Sequence, residues 1–475
     1  MLRSCCQMRK YKLLPFKFTR LKNKELLVSE VGDFVLASNG TVKRILDGSI
    51  NPKSELYKDL LGKYIISVDY NPLLQDILAT RLRTKKSFLN GTALHIFILT
   101  LRCNQKCIYC QASSQDEGTS TKSISKESLS HAIDLMLQSP NPCVTMEFQG
   151  GESSLVPELV EYAIAETEKR NATIGKDVKY VLCTNLIRLN PELLDLCKQY
   201  HIFVSTSLDG PAFIHDHNRG VKGSYQCFKQ NLAIVRNELG QGRVSPLMTT
   251  SEFSLDYPRE IVDSYRELGF RNMFLRPLNP YGRAKENSNW DLYYDRFIKF
   301  YKEALEYILK LNREGDYFRE DFTAMLMKKI LTPFPIGFVD LQSPAGIINS
   351  VIVYGYDGSV YCSDESRMMA ELGDYTFRLG RVDNSYQELF CGKKARQLSE
   401  LWATEYIAGC SDCAYFQYCG ADPVRNYSTQ GDWYGHRPTS LFCRFHKEVF
   451  DYLFTMIDER GKDVLPIFLS WAYDR

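Results

Sequence analysis

From about residue 90 to 285 the chain alternates short β-rich runs with stretches of helical period, and this alternation restricts the fold more than any other feature. Repeated βα units bury their strands in a parallel sheet and cover it with the intervening helices. Six strands are expected, over residues 94–102, 144–149, 178–184, 203–208, 246–250 and 272–278. Between them SKESLSHAIDLMLQ, PELVEYAIAETEKR and YPREIVDSYRELG place apolar residues three and four apart. Ser or Pro stands at their starts and a Gly closes the third, as helix ends require. Right-handed crossovers curl six such units into a partial barrel, so the expected class is α/β with a partial (β/α)6, TIM-like core.

A chain of 475 residues exceeds what one core sustains. In the first 85 residues, ELLVSEV and GDFVLAS read as two strands around a Gly-Asp turn, followed by helical patterns in VKRILDG and SELYKDLLG, which makes a small α+β module. A charged helix over about 290–313 leads into a cysteine-rich region of weak helix and strand signals and many turn residues, expected to be a small domain held by metal. The divisions are 1–85, 86–315 and 316–475.

With 44% hydrophobic and 24% charged residues the chain is a packed globule. A net charge of +2 supplies no field for a nucleic acid backbone or an anionic membrane. No run reaches the ~18 apolar residues of a spanning helix, and MLRSCCQMRKYKLL lacks the apolar core of a secretory signal. The expectation is a cytoplasmic protein with neither nucleic acid nor membrane as partner.

In a reducing compartment clustered cysteines bind metal or do chemistry rather than form disulfides. Of the 15 cysteines, Cys5, Cys6, Cys143, Cys183, Cys197 and Cys227 are scattered and are read as small hydrophobes without a role. Cys103, Cys107 and Cys110 lie in LTLRCNQKCIYCQAS, just after the first expected strand, where a βα loop meets the C-terminal face of the barrel. The spacing Cys-x3-Cys-x2-Cys turns three thiolates toward one centre. A closed zinc or iron–sulfur site takes four ligands, so three leave one iron open, unless His95 or a distant cysteine completes a zinc knuckle.

This pattern, with Tyr109 as the aromatic residue before the third cysteine, resembles the radical S-adenosylmethionine (radical SAM) enzymes. The resemblance implies a four-iron four-sulfur cluster on Cys103, Cys107 and Cys110, with S-adenosylmethionine chelated at the open iron and split to a 5′-deoxyadenosyl radical. Gln149-Gly150-Gly151-Glu152 ends the second strand and is similar to the family's Gly-Gly-Glu segment, whose edge holds the methionine amino group. Thr184 and Asn185 end the third strand, and Ser205, Ser207 and Asp209 the fourth, where the family places polar groups around ribose and carboxylate. Arg276 is expected to pair with the cofactor carboxylate. SLDGPAFIHDHNRGVKGSY resembles the peptide-modifying members that carry a C-terminal SPASM domain, matching at Ser207, Asp209, Gly210, Pro211, His215, Asp216 and Arg219. For His215, Asp216 and Arg219 a hydrogen-bond network and substrate contact stay open.

Cys410-x2-Cys413-x5-Cys419 and Cys443 supply four thiolates, enough to close a zinc or a cubane site. Behind a radical SAM core this spacing resembles the SPASM outer auxiliary cluster and implies one auxiliary four-iron cluster in a SPASM/twitch-like domain. A second is not expected, because Pro423 stands where the pattern wants a cysteine, and Cys362 and Cys391 cannot complete a site alone. Cys362 is left as a buried thiol, a partial ligand or a residue near substrate, and Asp364 lies near the position of a catalytic acid in some relatives. KYKLLPFKFTRL, LLVSEVGDFVL, DGSVYCSDESRMMAELGD and the incomplete SPASM set resemble the maturases of His-Xaa-Ser peptide systems. That resemblance implies hydrogen abstraction from a ribosomal peptide. LLVSEVGDFVLASNGTVKRILDG resembles the leader-recognition domains of peptide-modifying enzymes, which implies a leader bound at the N-terminal module, with a structural cap on the barrel as the alternative. The maturase resemblance also implies a reductant such as flavodoxin or ferredoxin and a second radical SAM protein as partners. A sulfatase-type maturase making formylglycine is the alternative enzyme, and an iron–sulfur electron carrier or scaffold the alternative from another class.

Overall fold

The structure, a computed structural model, describes residues 11–474 except 69–71, 120, 288 and 401. Cys5, Cys6 and the first ten residues, scanned above for a targeting signal, lie outside the described residues. No helix among those described is long and apolar enough to cross a membrane.

The N-terminal module begins with an antiparallel sheet of β1 (Phe16–Leu21), β2 (Lys24–Ser29) and β3 (Phe34–Ser38), with β2 in the middle. The first of these is a strand the sequence reading missed. Helices α1 (Thr41–Leu46), α2 (Glu55–Gly62) and α3 (Leu73–Lys85) follow. Alternation along β2 divides its burial between two cores. Leu27 joins Tyr11, Val35, Ile45 and Leu60 inside the module, whereas Leu26 and Val28 join the main core of the chain. The module therefore has its own core and is also fastened to the body.

The main sheet starts with β4 (Leu94–Thr100), followed by α4 (Lys126–Leu137), β5 (Cys143–Gly150), α5 (Pro157–Ile174), β6 (Asp177–Thr184), α6 (Pro191–Gln199) and β7 (Phe203–Ser207). Helices α7 (Ala212–Arg219) and α8 (Ser224–Leu239) lead to β8 (Val244–Leu247), and α9 (Pro258–Glu267) follows. These five strands are parallel in the order β8-β7-β6-β5-β4. Pro246 is tolerated because β8 is an edge.

The expected sixth strand is a correction. Only Asn272–Met273 forms a strand, paired with Arg319–Glu320 outside the main sheet, and the segment meets the chain after β8 through a single parallel bridge between Thr250 and Pro277. Pro277 and Pro280 remove ladder donors. The neighbouring N–H groups go to side chains instead, Leu275 to Glu320 Oε1 at 3.0 Å and Leu278 to the Tyr293 hydroxyl at 2.6 Å. Two further helices, α10 (Trp290–Arg313) and α11 (Asp321–Leu331), pack over this end.

The free side of β4 is taken by β9 (Val351–Tyr354), in parallel register from Val351 opposite Leu94 to Tyr354 opposite Phe97. Antiparallel β10 (Ser359–Tyr361) leads into α12 (Asp364–Glu371), and antiparallel β11 (Arg378–Arg381) closes an eight-stranded sheet. The sheet thus crosses the division expected at 315. The tail ends in α13 (Pro423–Gln430) and the 32-residue α14 (Leu441–Ala472), which leaves helical geometry at Arg460. A region expected to be short of helix holds the longest one described. Its aromatic face, with Phe445, Phe450 and Phe454, packs into the main core.

Candidate active site

Strand alternation sets the inner wall of the site. On β5 the side chains of Val144, Met146 and Phe148 are buried under the helices, which leaves Glu147 and Gln149 on the other face. On β6 and β7 the same alternation leaves Cys183, Ser205 and Ser207 on that face. All five line one cavity of about 430 Å³, together with Cys103, Cys107, Cys110, Gly150, Gly151, Glu152, Thr184, Asn185, Arg276 and Asp364. That volume suits a small-molecule site. Every expected cofactor residue except Asp209 is on its wall.

The triad loop is pinned from below. Arg219, buried, reaches Asp209 through Nε and Nη2 at 2.9 and 2.7 Å, while its Nη1 lies 3.9 Å from Cys107 Sγ. The hydroxyl of Tyr109 donates to Asp209 Oδ2 at 2.6 Å, and the N–H of Thr249 donates to Oδ1 at 3.2 Å. Main-chain bonds run from Lys106 N–H to Arg219 O and from Ile108 N–H to Asn218 O. Asp209 is fully buried and its lone pairs are spent on these partners. Its expected cofactor role is therefore corrected to an anchor of the loop. Arg219 and His215 belong to the same network, His215 Nδ1 accepting from Asp209 N–H at 3.4 Å, and Asp216 accepts from the N–H groups of Gly223 and Tyr225.

Gly150 and Gly151 are needed for close packing of backbone on backbone. A Cβ on Gly151 would run into the carbonyl oxygens of Arg102 and Leu101, and one on Gly150, at φ 134°, into that of Thr100. The N–H groups of Gly151 and Glu152 bond Thr100 O and Arg102 O, each at 2.8 Å. The glycine pair thereby fixes the chain entering Cys103. Glu152 accepts from Ser154 N–H at 3.1 Å and Asn185 N–H at 2.8 Å, tying the ends of β5 and β6 together. On the far side Gly282 abuts the backbone of Cys110, whose carbonyl accepts from Arg283 N–H at 3.0 Å.

Burial pushes the Cys103 thiol up to about 12, and the Cys107 thiol is also raised by burial, with Arg219 opposing. Such thiols lose their protons to a metal rather than to water. Among the described residues no three His, Cys, Asp or Glu side chains are grouped to hold a single metal ion. In a cubane each thiolate binds a different iron, so its ligands stand farther apart. Three thiols on the wall of one open cavity, beside the polar strand ends Ser205, Ser207 and Arg276, fit a cluster with a polar organic ligand.

Asp364 opens α12, where its Oδ1 pairs with Arg367 Nε at 2.9 Å, and Arg367 donates to Ala112 O beside the triad. Near it Asp340 and Glu365 also line the cavity. Burial and the charges of Asp340, Asp364 and Asp422 raise Glu365 to about 8. Glu147 is raised by burial, and accepts from Gln149 and from Cys183 Sγ. Glu147, Asp340, Glu365 and Cys183 were missed. The alternation in CVTMEFQG was the available signal for Glu147; Asp340 and Glu365 come from a region that only the sheet topology brings here.

Cys410, Cys413, Cys419 and Cys443 line one small pocket walled by Phe416, Phe442, Phe450 and His446. Tyr415 N–H donates to Cys413 Sγ at 3.4 Å, and Cys443 N–H to Ser440 Oγ at the start of α14. Arg437 Nη1 lies 4.0 Å from Cys410 Sγ. Cys362 is separate from both sites. It is fully buried in the main core, its thiol raised to about 12 by burial, while Cys391 is exposed. Of the three parts left open for Cys362, its place in the core is that of the buried thiol, not of a ligand in either pocket.

Residues 97–249, from β4 past β8, match the Radical SAM superfamily. They form a Radical SAM domain. The chain is an enzyme of radical chemistry, and the superfamily that these residues match works with a four-iron four-sulfur cluster and S-adenosylmethionine. It is 22% identical to the cysteine-type anaerobic sulfatase-maturating enzyme of Clostridium novyi over 357 residues, covering 74% of this chain and 91% of that one. The native anSMEcpe structure with bound AdoMet superposes at a TM-score of 0.61 with 20% identity, over 80% of this chain and 99% of that one. Streptococcus suis SuiB bound to the precursor peptide SuiA superposes at 0.52 with 11% identity, over 91% and 100%. At these identities the structural likeness is one of fold.

Proposed function

We propose that this Radical SAM enzyme is a peptide maturase of the His-Xaa-Ser type. The observation that carries the reading is the convergence of three thiols, the glycine pair and the polar strand ends on one cavity at the C-terminal end of a parallel sheet. Cys103, Cys107 and Cys110 would hold the catalytic cluster, with Ser205, Ser207 and Arg276 around the S-adenosylmethionine and Glu152 fixing the strand ends beside it. Bound there, the group supplies a 5′-deoxyadenosyl radical that takes a hydrogen atom from a substrate residue. The chain's own part is to hold the loop rigid through Asp209 and Arg219 and to present carboxylates at the cavity wall. A half-buried acid such as Glu365 or Glu147 holds or takes a proton next to the reacting residue. Cys410, Cys413, Cys419 and Cys443 would hold one auxiliary four-iron cluster, with Arg437 beside Cys410.

A peptide substrate is supported by the likeness to SuiB bound to its precursor peptide. The N-terminal module offers β1 as an open edge carrying the exposed Phe18, where a leader adds as a further strand. A flavodoxin or ferredoxin as reductant, a second Radical SAM protein as partner and a cytoplasmic setting complete the proposal. The likeness to a sulfatase-maturating enzyme favours formylglycine formation as the second reading. Reconstituted protein incubated anaerobically with either a His-Xaa-Ser precursor or a Cys-type sulfatase peptide separates the two by mass. Modification of the first supports the proposal. Conversion of the sulfatase peptide alone refutes it.

A further inference from the structure

The wall of the large cavity carries more acid than the triad and its ligand account for. Glu147, Glu152, Asp340, Asp364 and Glu365 line it, against two arginines, Arg219 and Arg276. Three of these carboxylates have partners of their own. Glu152 accepts from two main-chain N–H groups, Asp364 pairs with Arg367, and Asp340 faces Arg425 across a smaller neighbouring cavity. Arg219 is spent on Asp209. Glu147 and Glu365 remain. Glu147 accepts from Gln149 Nε2 and, at 3.5 Å, from Cys183 Sγ, with Arg276 near it. Among the described residues Glu365 meets neither a bonded cation nor a side-chain donor.

Carboxylates withdrawn from water without a counter-charge are costly, and a ligand that answers them recovers the cost. A metal ion is not that ligand, because among the described residues no three such side chains are grouped around one point. A cluster held by three thiolates brings no net positive charge either. What fits is an organic group with polar atoms some distance apart. Glu147 comes from β5 and Glu365 from α12, so the two acids can be bridged by a ring with a polar atom on each side. Burial and the neighbouring carboxylates raise Glu365 to about 8, and burial raises Glu147. At neutral pH Glu365 therefore holds its proton. A lysine or arginine side chain arrives charged and must first drive that proton off. A neutral imidazole has one ring nitrogen to accept from the protonated carboxyl and one N–H to donate to the other acid.

We propose that Glu147 and Glu365 determine specificity by binding an imidazole, so that the histidine of a precursor, and not its serine, enters the cavity. The inference rests on the reading of that cavity as the peptide-modifying site and adds what the site takes in. Glu365 donates to one ring nitrogen and Glu147 accepts from the other. Gln149 and Cys183 hold Glu147 in place for this, and the tail strands deliver Glu365.

The experiment uses the reconstituted full chain with S-adenosylmethionine, kept oxidised so that no radical forms. Binding of N-acetylhistidine methylamide is followed by ligand-observed NMR, with the phenylalanine, lysine and serine methylamides as comparison probes. The histidine probe should bind about tenfold or more tightly than the other three. Glu365→Met should abolish that preference, whereas Glu365→Gln, whose amide still donates, should keep most of it. Glu147→Met should weaken the histidine probe on its own and keeps the proposal testable if Glu365→Met fails to fold. No preference for the histidine probe in the wild type, or an undiminished preference in a folded Glu365→Met or Glu147→Met variant, overturns it. The readout needs no turnover. Selection of the histidine probe with no modification of a His-Xaa-Ser precursor refutes the proposed reaction and upholds this inference, and modification of the precursor with no selection refutes this inference alone.

Discussion

Asp209 is the point at which the loop holding the triad is most open to a single change. It is fully buried, and its two oxygens each serve two donors: Arg219 Nη2 and Thr249 N–H on one, Arg219 Nε and the Tyr109 hydroxyl on the other. Asp209→Asn replaces one accepting oxygen by an amide that faces donors, and leaves the Arg219 charge buried without a partner. Breaking a buried pair from one side costs about 3–5 kcal/mol. Domains of this kind have about 5–15 kcal/mol in all. Arg219→Met should cost a similar amount, because Asp209 then keeps only Tyr109 and one N–H. The double variant should cost less than the sum by about 3 kcal/mol, since neither charge is left alone. Urea unfolding of the four proteins, read by fluorescence and circular dichroism, measures the cycle. Single variants within about 0.5 kcal/mol of wild type, or strict additivity, would refute the anchor.

Gly151→Ala should displace the backbone at Arg102 and lose the triad iron while the tail metal stays, which iron analysis with and without the tail cysteines resolves. Glu365 is raised from an ordinary 4.5 to about 8, so between those values the unfolded chain is ionised there while the native chain holds the proton. Stability must then fall as pH rises across that window, and Glu365→Gln should flatten the fall; an unchanged pH profile of the urea midpoint would contradict it. Leu26 and Val28 pack into the main core, so deleting the N-terminal module would uncover the body, and a surface change on β1 is the cleaner probe. Phe18→Ser should weaken binding of a full-length precursor about tenfold or more with stability unchanged, as measured by titration calorimetry.

What the sequence made legible was whatever depends on local spacing. The triad, the Gly-Gly-Glu segment and the ends of β6 and β7 reach one cavity because strand alternation and helix caps are local signals. What it hid depends on pairing across the chain. Residues 272–278 read in sequence as a sixth strand after β8, but Pro277 and Pro280 leave that segment only a single bridge to the chain there, from Pro277 to Thr250, while Val351–Tyr354 pairs with the free side of β4 from far downstream in the chain. That pairing carries Glu365 to the cavity beside Asp364, the one acid of the tail singled out from the sequence. Asp209 looked like a cofactor contact because it follows Ser205 and Ser207, yet the strand ends between them and it turns under the loop. Cys362 carries a metal-like context in sequence and an apolar one in space.

The account stands on one measurement above the rest. Anaerobically reconstituted, reduced protein is mixed with S-adenosylmethionine, and 5′-deoxyadenosine is quantified against the C103A/C107A/C110A variant under the same conditions. Steady formation by the wild type and none by the variant is the predicted result. Equal formation by both, or none by a wild type that has taken up its iron, would contradict the claim that these three cysteines hold the catalytic centre.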